Sequence, residues 1–351
     1  MLKHNNKEAK NNCKCLIPLE VTESEWISDL HNFQYSIFLC PKWINAMQNE
    51  YCKAIFLNFI QNNEIVGKIS GLVCEKGKIN GKQIYFYASP ALKEYEQNLY
   101  DACHVALYQF AQENRFTRVV LGSYDQQHPL ICKAPNFIST ERFEYVLNLE
   151  KEIKFNRRFK RNLQHAKNFD LHFFHDNSEE NFNTLFNLLS VTKNYRVVKY
   201  GSDYNPLFLF NLTKESLHKM LNSDIEILYG VSFENEVNSV LCCIVENKRI
   251  YGLLLGSDEK SYELEESVFL TANVLFEAKE QGYRYYNPGG GNEKGLEEFK
   301  HSMGAEKTIV HGSTTNFIIY PQKLLNPLMN LGRKIPQNNK VVQFLKKIIY
   351  N

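Results

Sequence analysis

The sequence predicts an α+β fold in which one mixed-sheet unit occurs twice in tandem. The chain has 351 residues, more than one hydrophobic core usually accommodates. Its 44% hydrophobic and 23% charged residues are typical of folded globular proteins. The same order of strand and helix patterns also occurs in both halves of the chain. We therefore expect a first unit at 16–150, a second unit at 151–320 and a basic C-terminal tail at 321–351.

The first copy begins with a predicted hairpin. Apolar segments at 54–60 and 65–73 flank the polar turn Gln61-Asn62-Asn63-Glu64, and an aromatic-rich segment at 82–88 supplies a third strand. Apolar residues at helical spacing predict a helix at 95–114, and 118–121 forms a further strand. A strand that follows a helical crossover lies parallel to its neighbour, so the pattern predicts a mixed sheet.

The second copy repeats this order. Three strands are predicted at 225–233, 237–245 and 249–255, with turns at Glu234-Asn235-Glu236 and Asn247-Lys248. A helix with an apolar face follows, Gly282 ends it, and 283–287 returns as a strand. The agreement in element order and turn position favours a duplicated unit over a chance α/β arrangement.

Charge and composition exclude several classes of protein. Forty-one Lys and Arg against 39 Asp and Glu give a net charge of +2, without the basic excess of a nucleic-acid coat protein. No window holds the 18 or more apolar residues that span a bilayer, and residues 1–14 lack the apolar middle of a secretory signal. We therefore expect a cytoplasmic protein that does not bind DNA.

The nine cysteines show no pattern of a metal site or a disulfide framework. They include Cys13-Lys14-Cys15 and the adjacent Cys242-Cys243, but no CxxC pair and no neighbouring His cluster. We therefore expect no bound metal and no disulfide framework, and treat Cys242 and Cys243 as small apolar residues of a core strand.

A basic segment joins the two copies. Residues 151–170 hold seven Lys and Arg against two acids, and Phe155, Phe159 and Ala166 recur at helical intervals. Arg157, Arg158 and Arg161 therefore lie on the other faces of a predicted helix, where their planar guanidinium groups suit a phosphate. The alternative is an ordinary solvated basic face. Helices at 181–191 and 208–221 follow, separated by a polar-aromatic loop in which Tyr195, Arg196, Lys199 and Tyr200 are candidates for an acceptor groove.

A glycine-rich turn after the last predicted strand is the densest chemical signal. Tyr285-Tyr286-Asn287-Pro288-Gly289-Gly290-Gly291 leads into a short amphipathic helix that carries Leu296, Phe299 and Lys300. Consecutive glycines permit positive φ and a close approach of backbone to ligand. Backbone amides near a helix start also favour an anion. We therefore take Tyr285, Asn287, Gly289, Gly290 and Gly291 as candidate substrate-binding residues, with a flexible surface loop as the alternative.

The motif Gly295-Leu296-x-x-Phe299-Lys300-x-x-x-Gly304-Ala305-Glu306 resembles the C-terminal signature of the Fem-type aminoacyl transferases and their GNAT-like acetyltransferase relatives. The basic segment at 155–167 is similar to the one that opens their second unit. The resemblance implies two tandem GNAT-like units and transfer of an acyl or aminoacyl group to an amine, with Phe299 and Lys300 at the reacting centre. There the Lys300 ammonium would stabilise the oxyanion. The first unit has no counterpart to this pair, and would be structural or acceptor-binding.

The resemblance also suggests the substrates. It implies aminoacyl-tRNA or acyl-CoA as donor, and an anionic or phosphate-bearing acceptor such as an envelope precursor, a peptide or an amino sugar. GNAT enzymes usually hold the CoA pyrophosphate on a glycine-containing turn before the helix. Here that stretch carries the acids Asp258, Glu259, Glu263, Glu265 and Glu266. Like charges disfavour a pyrophosphate, which favours aminoacyl-tRNA, unless these acids only stabilise a helix start.

Several questions stay open from the sequence. Glu265, Glu266, His301 or a substrate phosphate are all candidates to accept the amine proton. Two other functions remain: an acetyl-CoA-dependent N-acetyltransferase of surface carbohydrate, and an inactive duplicate that binds tRNA or a membrane partner.

The C-terminal tail is basic and amphipathic. Residues 321–351 contain six Lys and Arg, no acid, and two apolar stripes. Such helices either pack on their own domain or lie on anionic membranes, which would place the protein at the inner membrane face.

Overall fold

The computed structural model describes residues 16–75, 81–200, 205–291 and 293–317. The predicted tail at 321–351, with its membrane contact, and Cys13 and Cys15 lie outside the described residues.

The strands of the described residues form one mixed sheet with helices on both faces. The strands are β1 (Ile17–Glu20), β2 (Cys52–Gln61), β3 (Glu64–Glu75), β4 (Lys82–Phe86), β5 (Ala91–Leu92), β6 (Arg118–Leu121), β7 (Ile138–Asn148), β8 (His172–His175), β9 (Glu226–Phe233), β10 (Glu236–Glu246), β11 (Arg249–Ser257), β12 (Tyr285–Asn287) and β13 (Glu306–Asn316). The α-helices are α1 (Glu23–Ile27), α2 (Pro41–Ala46), α3 (Gln97–Glu113), α4 (Arg157–Ala166), α5 (Glu179–Tyr200), α6 (Lys214–Leu221), α7 (Glu259–Glu263), α8 (Glu266–Glu280) and α9 (Lys294–Ser302).

The predicted repeat is confirmed by the pairing of these strands. In the first half β2, β3 and β4 are antiparallel neighbours, and β6 returns parallel to β4 after α3. In the second half β9, β10 and β11 are antiparallel, and β12 returns parallel to β11 after α8. The α+β fold class with two related mixed-sheet units is therefore as predicted.

The hairpin turns consist of residues in the left-handed backbone conformation. Asn62-Asn63, Glu234-Asn235 and Asn247-Lys248 all have positive φ, between 48° and 65°. Two successive left-handed residues form the tight hairpin turn whose twist matches that of the flanking strands. Polar residues that tolerate this conformation therefore fix the ends of all three hairpins.

Strand exchange joins the two halves. The full order is β1-β2-β3-β4-β6-β13-β7-β12-β11-β10-β9-β8, and β5 pairs with β3. The strand β13 lies between β6 and β7 of the first half, while β7 pairs with β12 of the second half. The sheet thus runs across the predicted boundary at 150/151, and the domain boundaries stay a prediction.

Both faces of the second-half sheet are covered. Successive residues of a strand point to opposite faces, so Cys242 and Cys243 enter different hydrophobic cores. Phe182 and Leu185 of α5 belong to the core with Cys242, and the apolar residues of α8 to the core with Cys243. Both thiols are buried, as expected for small apolar residues.

One sequence expectation about cysteine is wrong. Cys52 and Cys74 form a disulfide, and they are direct partners in the register of β2 and β3. The two residues are 22 apart in sequence, and it is the hairpin that brings them opposite each other. No cysteine-spacing rule covers that geometry, so the pairing depends on the fold.

A buried charge network lies where the halves meet. Arg249 of β11 donates two hydrogen bonds to Asp125, at 2.9 and 2.6 Å. Asn287 of β12 donates to both Asp125 and Glu144 of β7, at 3.2 and 2.9 Å. Arg142 forms an ion pair with Glu144 at 3.0 Å. Burial raises the pKa of Glu144, and the neighbouring Arg142 opposes that shift. We name Asp125, Arg142, Glu144, Arg249 and Asn287 the junction network.

We predict that the change Asp125→Asn destabilises the protein strongly. It keeps the side-chain size but leaves the buried Arg249 guanidinium without its bidentate partner. Breaking one side of a buried pair costs about 3 to 5 kcal/mol. Denaturant unfolding should show this loss, whereas Lys260→Ala, which breaks the exposed pair with Glu234, should change stability by less than about 1 kcal/mol. Equal midpoints for the two variants would contradict the assigned role of the junction network.

Candidate active site

The two parallel strands of the second half separate at their carboxyl ends. The β11–β12 pairing ends at Tyr251 and Asn287, whereas β11 continues to Ser257. The glycine-rich turn follows β12 at the point of separation. Open α/β sheets bind ligands at such carboxyl ends, where neighbouring strands part.

A cavity of about 340 Å³ lies beside the end of β11. This volume is in the range of small-molecule sites. Its wall combines the end of β11 with residues of α4, α5, α7, α8 and α9. The lining residues are Arg158, Phe159, Asn162, Thr192, Tyr195, Arg196, Leu255, Ser257, Ser261, Tyr262, Glu265, Ser267, Val268, Glu293, Gly295, Leu296, Glu298, Phe299 and Ser302. We call this space the second-half cavity.

The helix α5 reaches the cavity because a glycine lets it approach the sheet. A Cβ on Gly256 would lie 2.8 Å from the Leu188 Cβ, so only glycine allows this packing. Thr192 then holds β11 by donating to the Ser257 carbonyl and accepting from the Ser257 amide, at 2.9 and 3.0 Å. The aromatic ring of Tyr195 stacks on that of Tyr262 in α7, with the ring centres 5.2 Å apart.

The cavity carries charges of both signs. Arg158 pairs with Glu298 at 3.0 Å, and Arg196 with Glu293 at 3.6 Å. Glu265 accepts a hydrogen bond from Asn162 at 2.8 Å. Two guanidinium groups and three carboxylates therefore border one space, an arrangement suited to a ligand that carries both an ammonium and an acidic or carbonyl oxygen.

The acids of the loop before α8 occupy the helix starts. Asp258 caps α7 by accepting from the Ser261 amide at 2.8 Å. Glu265 precedes α8 in a left-handed conformation, with φ of 56°, and Glu266 in the first turn is fully buried. Carboxylates thus stand where a pyrophosphate-binding turn would need exposed amides.

Lys300 contacts the glycine-rich turn. Its ammonium donates to the carbonyls of Gly289 and Gly290, at 2.9 and 2.7 Å, and lies 5.5 Å from the centre of the Tyr145 ring. Only 3% of the residue is exposed, and burial lowers the pKa of Lys300 to about 8. It is not among the residues that line the second-half cavity. The predicted oxyanion contact would require this ammonium to leave two carbonyls.

The other residues of the turn support the same conformation. Gly289 has φ of 71°, as the sequence predicted, and its amide donates to the Asn287 side chain at 2.8 Å. A Cβ on Gly290 would lie 2.4 Å from the Phe143 carbonyl oxygen. The turn therefore presents two carbonyls to Lys300 and uses the Gly289 amide internally.

The remaining candidates divide into two groups. Phe299 and Arg158 line the second-half cavity. Arg157 and Arg161 are exposed on α4 outside its lining, and Tyr285 lies under the Arg249 guanidinium at 4.9 Å. Gly289, Gly290, Gly291 and Asn287 also lie outside the lining.

Sequence reasoning missed part of this wall. Tyr195 and Arg196 were expected in a loop, but they belong to α5, which extends to Tyr200. Thr192, Ser257 and Ser261 gave no signal at all, because single hydroxyl residues in a helix or strand have no characteristic pattern. Only the packing of α5 on β11 makes them neighbours.

At the equivalent place, the described part of the first half holds only a small cavity. Its parallel strands continue to hydrogen bond beyond β4, from the Gly122 amide to Phe86 and from the Tyr124 amide to Tyr87. The cavity beside Ser89, Gln126 and His128 measures only about 10 Å³, about the size of a water molecule. The two copies therefore differ at the position where the second copy opens.

The described ranges contain no group of three or more His, Cys, Asp or Glu side chains arranged to hold a metal ion. None of their helices is long and apolar enough to cross a membrane.

Comparison with solved structures supplies relatives by fold. No family model and no curated protein sequence matches the chain. The chain is similar to FemX, with a TM-score of 0.65 and 12% identity over 88% of this chain and 99% of that one. It is also similar to L-PGS from Bacillus licheniformis, with a TM-score of 0.52 and 12% identity over 87% of this chain and 96% of that one. The C-terminal domain of a putative lysylphosphatidylglycerol synthetase from Agrobacterium fabrum is also similar. Its TM-score is 0.51, with 11% identity over 91% of this chain and 99% of that one. The chain therefore has the fold of the Fem-type and GNAT-like acyltransferases.

Proposed function

We propose that the protein transfers an activated aminoacyl group to an amine, and that the donor's reacting end binds in the second-half cavity. The observation that carries this proposal is the cavity itself, which opens where β11 and β12 separate and is bordered by charges of both signs. The fold shared with FemX supports a transferase of this class.

The charges favour an aminoacyl donor over coenzyme A. Glu265 and Glu266 stand at the start of α8, and Asp258 caps α7, so a pyrophosphate would meet negative charge there. An aminoacyl ester carries an α-amino group. This group can donate a hydrogen bond to the Glu265 or Glu293 carboxylate or, as an ammonium, form an ion pair with it. An acetyl group offers no such partner.

The acceptor remains defined only by class. Arg157 and Arg161 are exposed on the same helix as Arg158, which lines the cavity. Guanidinium groups on one helix suit a phosphate-bearing acceptor or the backbone of a tRNA. An envelope precursor, a peptide or an amino sugar all fit this description.

The reaction requires the amine of the acceptor and the ester carbonyl of the donor to lie side by side in the cavity. The amine nitrogen attacks the ester carbonyl, the new C–N bond forms, and the C–O bond to the donor breaks. Positioning within one water-poor space supplies much of the rate in such reactions. Phe299 and Leu296 contribute apolar wall on the α9 side, and Lys300 holds the turn that follows β12. We therefore assign Lys300 a positioning role.

We predict that Gly295→Leu blocks transfer without unfolding the protein. A Cβ on Gly295 meets nothing within 4 Å, and Gly295 lines the cavity. A leucine side chain there would therefore occupy part of the cavity without a backbone clash. Leucine is also the better helix former, so the stability should rise by up to about 1 kcal/mol. Transfer should be measured with labelled aminoacyl-tRNA and labelled acetyl-CoA in parallel.

The matched control is Lys294→Leu, an exposed position on the same helix that does not line the cavity. It should keep wild-type transfer. Full transfer by Gly295→Leu would remove the cavity from the reaction. Wild-type transfer from acetyl-CoA alone would favour the acetyltransferase, and no transfer from either donor would favour the binding module.

We predict a pH signature for Lys300. Burial lowers its pKa to about 8 from an ordinary value of 10.5, so between these values the unfolded chain binds more protons than the folded one. Stability contributed by this group therefore rises with pH across that window. Denaturant unfolding at pH 8 and at pH 10 should show the wild type gaining stability relative to Lys300→Met. Transfer by Lys300→Met should fall about 100-fold, because the turn loses its anchor.

The comparison variant is Lys294→Met, whose side chain is exposed on the same helix. Its stability should run parallel to that of the wild type at both pH values. The burial of Lys300 would be refuted if Lys300→Met and the wild type also ran parallel.

A further inference from the structure

Two serines lie between the second-half cavity and the interior. Ser257 of β11 lines the cavity, and it is the register partner of Ser239 in β10. Their hydroxyl oxygens are 3.2 Å apart, and either can donate. Both residues are buried, at 2% and 0% exposure. A hydrogen-bonded pair of hydroxyls thus leads from the cavity wall into the protein.

A buried carboxyl lies beside the inner serine. Glu266, in the first turn of α8, has no exposed surface, and neither of its oxygens has a hydrogen-bond partner in the described part of the chain. The neighbouring Ser239 hydroxyl lowers the pKa of Glu266, so it faces the ionised carboxyl without meeting the geometry of a hydrogen bond. An unpartnered buried carboxyl is costly to keep, and this one lies beside the hydroxyl pair that leads to the cavity.

We propose that Glu266 is the proton acceptor of the transfer reaction, reached from the cavity through Ser257 and Ser239. The inference rests on the proposed function, since it assigns the proton that the attacking amine must lose. It also selects among the candidates that the sequence left open.

The proton balance of the step is closed. As the C–N bond forms, the amine proton passes to the Ser257 hydroxyl, the Ser257 proton to Ser239, and the Ser239 proton to the Glu266 carboxylate. As the C–O bond of the ester breaks, the same path returns one proton to the departing oxygen, which leaves as a hydroxyl. The carboxyl is regenerated as the carboxylate, so no other reactant is consumed.

The surroundings of Glu266 raise its pKa. Burial, the largest cause, raises its pKa to about 7. Asp258 at the start of α7 raises it further, while Ser239 of β10 and Lys260 of α7 oppose the shift. Glu265, which precedes α8, accepts a hydrogen bond from Asn162, and Asn238 of β10 donates one to Asp258. A base whose pKa lies near the working pH combines availability with basicity.

The other candidates are placed less well. Glu265 lines the cavity, but its carboxylate accepts a hydrogen bond from Asn162. The ring of His301 packs against Tyr145 at 5.0 Å, and the residue does not line the cavity.

The test compares two buried carboxyls by their conservative variants. In Glu266→Gln, transfer from labelled aminoacyl-tRNA should fall about 100-fold near pH 8, and the decline of kcat below about pH 7 should disappear. Ser239→Ala should lower kcat in the same direction because it interrupts the path. Glu266→Asp should restore part of the rate together with the acid limb.

The matched control is Glu226→Gln. Glu226 at the start of β9 is also buried, its oxygens also lack hydrogen-bond partners in the described residues, and burial raises its pKa to about 8. It lies beside Cys242 and does not line the cavity. Glu226→Gln should keep the wild-type rate and pH profile.

The outcomes separate this inference from the proposed function. Wild-type kinetics in Glu266→Gln, or a slower variant that keeps the acid limb near pH 7, would overturn the role of Glu266 while the aminoacyl transfer stands. No transfer by the wild type from any donor would overturn both. A loss of rate together with the acid limb in Glu266→Gln, absent from Glu226→Gln, is the result that supports the inference.

Discussion

Buried charges from both halves pair with one another where the two parts of the sheet join. Asp125 comes from the first half, Glu144 from the exchanged strand β7, and Arg249 and Asn287 from the second half. Charges taken out of water are stable only when each finds its partner. These pairings favour one register between the halves, and that register places β12 and its glycine-rich turn.

The geometry of the candidate site follows from this junction. Asn287 links the junction network to the turn, and the Gly289 and Gly290 carbonyls then fall within reach of Lys300. Because β12 ends there while β11 continues, α4, α5, α8 and α9 enclose a larger space than the one at the equivalent place among the described residues of the first half. The duplicated unit has thus kept one closed copy, which supplies β6 as a partner for β13, and one open copy with the cavity.

Local patterns and long-range contacts differ in how well the sequence predicts them. The hairpin turns at Asn62-Asn63 and Asn247-Lys248, the helix α8 and the strand β6 follow from turn chemistry and apolar spacing. The insertion of β13, the Cys52–Cys74 disulfide and the α5 wall depend on pairings between distant segments, which no local pattern encodes. Lys300 illustrates both cases. Its position after the glycines makes it a candidate from the sequence, but its burial and its carbonyl partners depend on the folded turn.

The central claim is that the second-half cavity binds the aminoacyl end of a donor. Calorimetric titration of the protein with a stable 3′-aminoacylamido-adenosine, and separately with coenzyme A, tests it most directly. We expect heat of binding with the aminoacyl analogue, its loss in Gly295→Leu, and no heat with coenzyme A. Binding of coenzyme A without binding of the analogue would contradict it.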